Sequence, residues 1–315
     1  MYTSNKNMFV IAAVLAASLG AAGGAVAQTA KNLVCDGCVN SNDLRDETIK
    51  PRDLHRSVLF GEYVVVRANG SPAKNCTRLR SALAKIKDAS VHKRVVVRLE
   101  RGTFDCGTSP LAVKRHVTLE GAGRHATAII GNTAGLDHGV VETANHSRLR
   151  NLAVAHQGAG SSVAIAILVP GKGVAIRDVA VRAESQTANS LFGIVVPGGS
   201  VSLTDVSVRA ISESGGGQGI YAYSGADLDL LSTWIHNTGS AGNPAAVEVV
   251  DSTMVGFGVV LNSNIFGVLL RSTSHLELVG GKVTNVATGA TFDGTKSCAG
   301  ITRIDLGILD ENCDP

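Results

Sequence analysis

Two groups of side chains in this chain have the types and the spacing to do chemistry. The first is Tyr221, Tyr223, Glu248, Asp251 and Arg271. Tyr221 and Glu248 lie 27 residues apart, as do Tyr223 and Val250, and Arg271 follows Val250 after a shorter step of 21. A β-elimination needs a base for the proton beside a carboxylate, a group that neutralises that carboxylate, and an acid for the leaving oxygen. Tyr223, Arg271 and Glu248 are the types that fill these roles. The other reading of the group is a surface tyrosine pair beside an ordinary Glu–Arg ion pair. The second group is Arg182, Arg209 and His236, again spaced by 27, with Trp234, the only tryptophan, two residues from His236. A cationic row beside an aromatic platform binds an acidic or sugar ligand through charge-assisted bonds and ring stacking, and Tyr221 is a further ligand-binding candidate. The competing reading is a solvated face whose arginines pair with Glu184 or Glu213, where each pair is worth little.

Other features carry less chemistry. Asp178 and Asp205 share a column with Asn151 and Ser232 and read as turn residues that bond their own backbone. The glycines of EGAGR (120–124) and SGGGQG (214–219) lack the strand-to-helix context of a phosphate loop and read as turns. No metal site and no cofactor is expected. The formal charge of +3 over 315 residues gives no support for binding nucleic acid or a membrane surface.

The elements that must position these groups begin after an export signal. Lys6, the apolar run Met8–Leu19 and the small-x-small triplet Ala25-Val26-Ala27 predict a signal peptide over 1–27. No later stretch has 18 uninterrupted apolar residues, so no membrane span is expected in the mature chain. The signal implies export, either to the periplasm or outside the cell. All six cysteines lie beyond it, and an even count in an exported chain favours disulfides. The pairing expected is the local one: Cys35–Cys38, Cys76–Cys106 and Cys298–Cys313. A redox or zinc reading of Cys35-Asp-Gly-Cys38 lacks both the βαβ context and a second ligand pair.

The decisive feature is an internal repeat. Leu149, Ile176, Leu203, Leu230 and Phe257 recur at 27 residues, as do Leu152, Val179, Val206, Thr233 and Val260. Such a period means stacked units, none of which buries its own apolar face. Within a unit the apolar residues alternate with period two, as in Val174, Ile176, then Val179, Val181, which is a strand pattern. The two-residue break between reverses the alternation and marks a sharp bend, with Asn151, Asp178, Asp205 and Ser232 at the bend because Asn and Asp tolerate the left-handed conformation. One unit therefore reads as strands near 166–169, 174–176 and 179–181.

These units resemble the pectin lyase-like superfamily of right-handed parallel β-helices, over about residues 62–290. VVVRLERGTF and HVTLEGAGRHATAIIG resemble the usual opening of such a helix, and the bend column resembles that superfamily's asparagine ladder. The resemblance implies a right-handed parallel β-helix, an all-β chain of about seven rungs over 62–291; the residues before it, with apolar positions spaced among charges, read as a leader or stalk (28–61), and those after it, which break the repeat and carry Cys298 and Cys313, as a C-terminal cap (292–315). A short helix in TRLRSALAKIKD (77–88) is expected to cap the first rung. Fold alone gives no activity here. The segments typical of polygalacturonases and the calcium-binding acids of pectate lyases are missing. On the outward face of the first strand column we expect Val140, Ile167, Ile194, Tyr221 and Glu248, with Glu142, Val169, Val196, Tyr223 and Val250 beside them. That face is mostly apolar, which marks an interface. Two readings stand. One is an exported, non-catalytic β-helix presenting a surface to a saccharide, a protein partner or its own copies, the last through the first strand column. The other is a polysaccharide-active enzyme, most plausibly a lyase acting on an acidic polysaccharide.

Overall fold

The computed structural model describes residues 62–158, 163–213, 215–239, 244–263, 266–284 and 294–304, all within one compact unit spanning Leu54–Pro315. The expected signal peptide and leader lie outside these residues, as do Cys35, Cys38 and Cys313 and the pairings that involve them.

Short runs of Val, Ile and Leu punctuated by glycine and Asx turns form strands, and every pairing between them is parallel. The chain winds as a right-handed parallel β-helix. A 14-stranded sheet includes Val95–Leu99, Val117–Glu120, Arg148–Gln157, Val174–Ser185, Ser200–Thr204 and Asp227–Leu231 in sequence of coils. A 7-stranded sheet stacks Leu111–Val113, Val141–Thr143, Val163–Leu168, Ser190–Pro197, Gly216–Tyr223, Ala245–Val250 and Phe266–Arg271. Gly294–Ile304 adds one more parallel partner to Ser274–Thr284, beyond residue 291.

The core is a set of ladders running up the inside. Leu119, Leu149, Ile176, Leu203 and Leu230 stack in register, and none is more than 1% exposed. The bend residues adopt the expected left-handed conformation: φ is 56° at Asn151, 52° at Asp178, 54° at Asp205 and 49° at Ser232. The next two bends use Gly258 (φ 62°) and Gly280 (φ 57°), where no Cβ opposes it. Two successive coils keep the expected three strands, Ser190–Pro197, Ser200–Thr204 and Ser207–Ser212, then Gly216–Tyr223, Asp227–Leu231 and Trp234–Thr238, whereas in others the second and third merge. Val174–Ser185 runs through Asp178 as one strand, and its pairing with the preceding coil resumes at Val179 directly after the bend, while its pairing with the following coil divides between Ser200–Thr204 and Ser207–Ser212.

The 27-residue step is not uniform. It shortens to 26 between Val141 and Ile167, between Ile194 and Ile220, and between Leu230 and Gly256. A one-residue shift moves every side chain of a strand to the other face. Met254 and Gly256, rather than Val255 and Phe257, therefore continue the inner columns, and Phe257 is 46% exposed.

The helix Pro72–Lys85 closes the first coil. Ser71 caps its N-terminus by accepting from the Lys74 amide, and proline occupies the first turn. Leu79, Leu83 and Ile86 are buried against the coil. Cys76 is bonded to Cys106, and Arg80 donates to the carbonyls of Cys106, Ser109 and Pro110.

One buried histidine links this core to pH. His156 is wholly buried, its Nε2 lies 2.8 Å from the Thr133 carbonyl, and its Nδ1 has no partner. Burial pushes its pKa below the ordinary 6.5, with the Thr133 bond opposing. Between that lowered value and 6.5 the unfolded chain binds more protons than the folded one. Stability is therefore full above pH 6.5 and falls as the pH drops below it, by no more than about 1.4 kcal/mol per pH unit for one group. Urea unfolding at pH 7.5 and 5.5 should show the loss, and His156→Gln should flatten the profile. An unchanged slope in the variant would remove His156 as the cause.

Candidate functional site

The outer face of the 7-stranded sheet is organised by a repeated bend. In each of its longer strands two consecutive residues turn inward: Ala166-Ile167, Gly193-Ile194, Gly219-Ile220 and Ala246-Val247. Gly193 has no room for a side chain, since a Cβ would sit 2.5 Å from the Gly219 carbonyl oxygen. The same holds at Gly219, where it would meet the Ala246 carbonyl oxygen at 2.6 Å. The alternation changes phase at this point. The expected outward residues Val140, Ile167, Ile194, Val169 and Val196 accordingly belong to the core. The outward column is instead Leu168, Val195, Tyr221, Glu248 and Leu269, flanked by Phe192, Gln218 and Ala245 on one side and Pro197, Tyr223, Val250 and Arg271 on the other.

Ile165, Leu168, Phe192 and Val195 form an apolar cluster separate from the main core, with Tyr221 and Tyr223 packed against it. Phe192 and Tyr221 stack at 5.4 Å between ring centroids, and Tyr221 and Tyr223 at 5.0 Å. Beside the half-buried tyrosines lies a charged diagonal across three coils. Glu248 is 6% exposed; its Oε1 accepts from Arg271 Nε at 2.7 Å and its Oε2 from Gln218 Nε2 at 2.8 Å. Burial pushes the Tyr221 phenol above its ordinary pKa, Glu248 and Tyr223 add to this, and Arg271 opposes it. Burial also raises Tyr223, helped by the carboxylate of Asp137. At the near end of the face, His138 Nδ1 is 2.9 Å from Glu142 Oε1.

Of the first sequence-derived group, the structure joins Glu248 to Arg271 and stacks Tyr223 on Tyr221, with no bond between the two pairs among the described residues. Asp251 sits in a turn at φ 49° and accepts from Thr273. The second group divides. Arg182 and Arg209 converge on Glu184 Oε1, at 2.5 and 4.0 Å. Trp234 and His236 stack nearly parallel, at 2° and 5.4 Å. Tyr221 stands on the other sheet from Trp234. Gln218 was missed because it lies inside the glycine run 214–219, where the pattern reads only as a turn. No group of three or more potential metal ligands occurs among the described residues.

An aromatic stack with phenol, amide and guanidinium groups at its edge suits an amphipathic ligand with hydroxyls, such as a sugar ring. It is poorly arranged for proton abstraction. A tyrosine base needs its phenolate near neutral pH, and both tyrosines are pushed the other way. The carboxylate has both oxygens occupied.

Coils of parallel strands, a bend ladder and an end-capping helix define a parallel β-helix protein. Solved pectin methylesterases share this fold. Among solved structures, the pectin methyl esterase of rice weevil is similar at 8% identity and a TM-score of 0.51, covering 81% of this chain and 92% of that one. The pectin methylesterase of Yersinia enterocolitica is similar at 13% identity and a TM-score of 0.51, covering 74% and 92%. A bacteriophage CBA120 tailspike protein 2 domain matches at 13% identity and a TM-score of 0.48, covering 80% of this chain and 44% of that one. No protein-family model matches the chain. No curated protein matches it by sequence.

Proposed function

We propose that this protein is an exported β-helix that binds a saccharide on the outer face of its 7-stranded sheet without turning it over. The observation that carries the reading is the half-buried Tyr221–Tyr223 stack beside a carboxylate whose two oxygens are both hydrogen-bonded. The rings offer a platform, and Arg271, 44% exposed at its side chain, offers a donor at the rim. The pectin-active neighbours that share the fold support a carbohydrate as ligand. The Cys76–Cys106 bond supports an oxidising compartment, as export would provide.

The test is affinity electrophoresis of the mature protein in gels containing neutral or acidic polysaccharides, with absorbance of new unsaturated ends followed in parallel. Retardation without absorbance is expected, weakened at least about tenfold by Tyr223→Ala, the equivalent of about 1.4 kcal/mol. The Glu248–Arg271 pair keeps the lyase reading in play. Absorbance that grows with wild type and vanishes with Arg271→Ala would replace binding by β-elimination at the same face.

A further inference from the structure

A second recognition surface lies on the other sheet. A groove of about 650 Å3 follows the outer side of the bend, lined by Arg124, Arg150, Arg177, Asp205 and Trp234 among others. Arg150 and Arg177 are register partners on adjacent coils. Asp205 and Trp234 belong to the next two, so the groove crosses four coils, about 14 Å at the strand spacing.

The charges in this groove are unequally committed. Arg150 Nη2 donates to Glu120 at 2.9 Å, but its buried Nε has no acceptor. Arg124 reaches Asp178 at 3.6 Å. Arg177 is exposed, and neither it nor Asp205 makes an ion pair with a described residue. Trp234 is 39% exposed although its ring is stacked on His236. A free guanidinium, a free carboxylate and an accessible indole along one trough are complementary to a sugar chain that carries acid groups. The planar guanidinium fork matches a carboxylate, a carboxylate accepts from hydroxyls, and the indole covers a ring face.

We infer that this groove binds a uronate-containing saccharide chain, with Arg177 on a ring carboxylate, Asp205 on hydroxyls and Trp234 beneath a ring. A uronate fits better than a sulfated or phosphorylated chain. The two aspartates lining the groove repel dense negative charge, whereas one carboxylate per ring needs only one free arginine. This surface is independent of the tyrosine face.

Trp234 is the only tryptophan in the chain, so its fluorescence reports on this groove alone. The mature protein is titrated with uronate tetrasaccharides and with the same tetrasaccharides after reduction of their carboxyls to alcohols, by fluorescence and by calorimetry. A saturable change is expected with a uronate, at least about tenfold weaker with its reduced form and with Arg177→Ala, and only partly restored in Arg177→Lys. Tyr223→Ala is expected to leave it unchanged. Thermal melts check that the variants fold, which the exposed, unpartnered Arg177 favours. The inference is overturned by any of three results: no response in either measurement at millimolar uronate, an equal response to the reduced sugars, or a response that survives Arg177→Ala. Binding lost in Tyr223→Ala instead would assign the ligand to the tyrosine face and leave this groove without one.

Discussion

Leu203→Ala is expected to cost about 3–5 kcal/mol of stability, while Leu231→Ala costs less than about 0.5 kcal/mol. Both are leucines near one bend of the coil, one position apart in adjacent turns of the repeat. Leu203 is wholly buried between Ile176 and Leu230, and truncating it opens a cavity that two neighbouring coils cannot both close. Leu231 is 49% exposed and points to solvent. Urea unfolding of the two variants separates them. Because a stack of coils need not unfold as one unit, the comparison should be made by circular dichroism and by hydrogen exchange together. Equal, small effects would mean that the Leu203 column is not the core.

Replacing Cys76 and Cys106 by serine is expected to cost about 3–4 kcal/mol, since the bond closes a 30-residue loop. The loss should begin locally. The helix Pro72–Lys85 covers the open end of the first coil, and without the bond it is held by Leu79, Leu83 and the bonds of Asn75 and Arg80. Thermal melts with and without reductant, beside exchange rates for the helix amides, would show the effect. An unchanged melting temperature and unchanged helix protection in the serine variant would mean that the bond adds nothing to the cap.

The coil itself was legible because its period is written in large apolar residues. Leu149, Ile176, Leu203 and Leu230 announce both the stack and its inner column, and the Asn–Asp–Asp–Ser bend column follows from backbone chemistry. The capping helix was legible from the spacing of Leu79, Leu83 and Ile86. The faces were not. Both sides of the 7-stranded sheet are apolar, so Ile167 inside and Leu168 outside look alike. The phase turns on Gly193 and Gly219, whose close approach to the backbone of the next coil leaves no mark in the residue pattern. Three steps of 26 rather than 27 then shift the columns that a uniform period assigns. The residues proposed for chemistry suffered less, because Tyr221, Tyr223, Glu248 and Arg271 lie after the shift at Ile220 and share one frame. Gln218 and Arg177 carried no signal of their own. One sits in a glycine run, and the other reads as any polar residue at a bend.

The covalent chain and its hydrogen bonds run at right angles in this molecule, and that sets how it bears a load. Tension along the chain cannot be shared by all coils, because each is bonded only to the one before and the one after. The structure yields from an end, peeling one coil at a time. Each coil of about 27 residues releases about 90 Å of slack at the full extension of a strand. The first coil is the exception, since the Cys76–Cys106 bond keeps the 30 residues it spans from paying out at all. Under tension the protein thus lengthens one coil at a time from its far end, in shorter increments there because the step between coils falls from 27 residues to 22 and then 20, and it stays held at its near one.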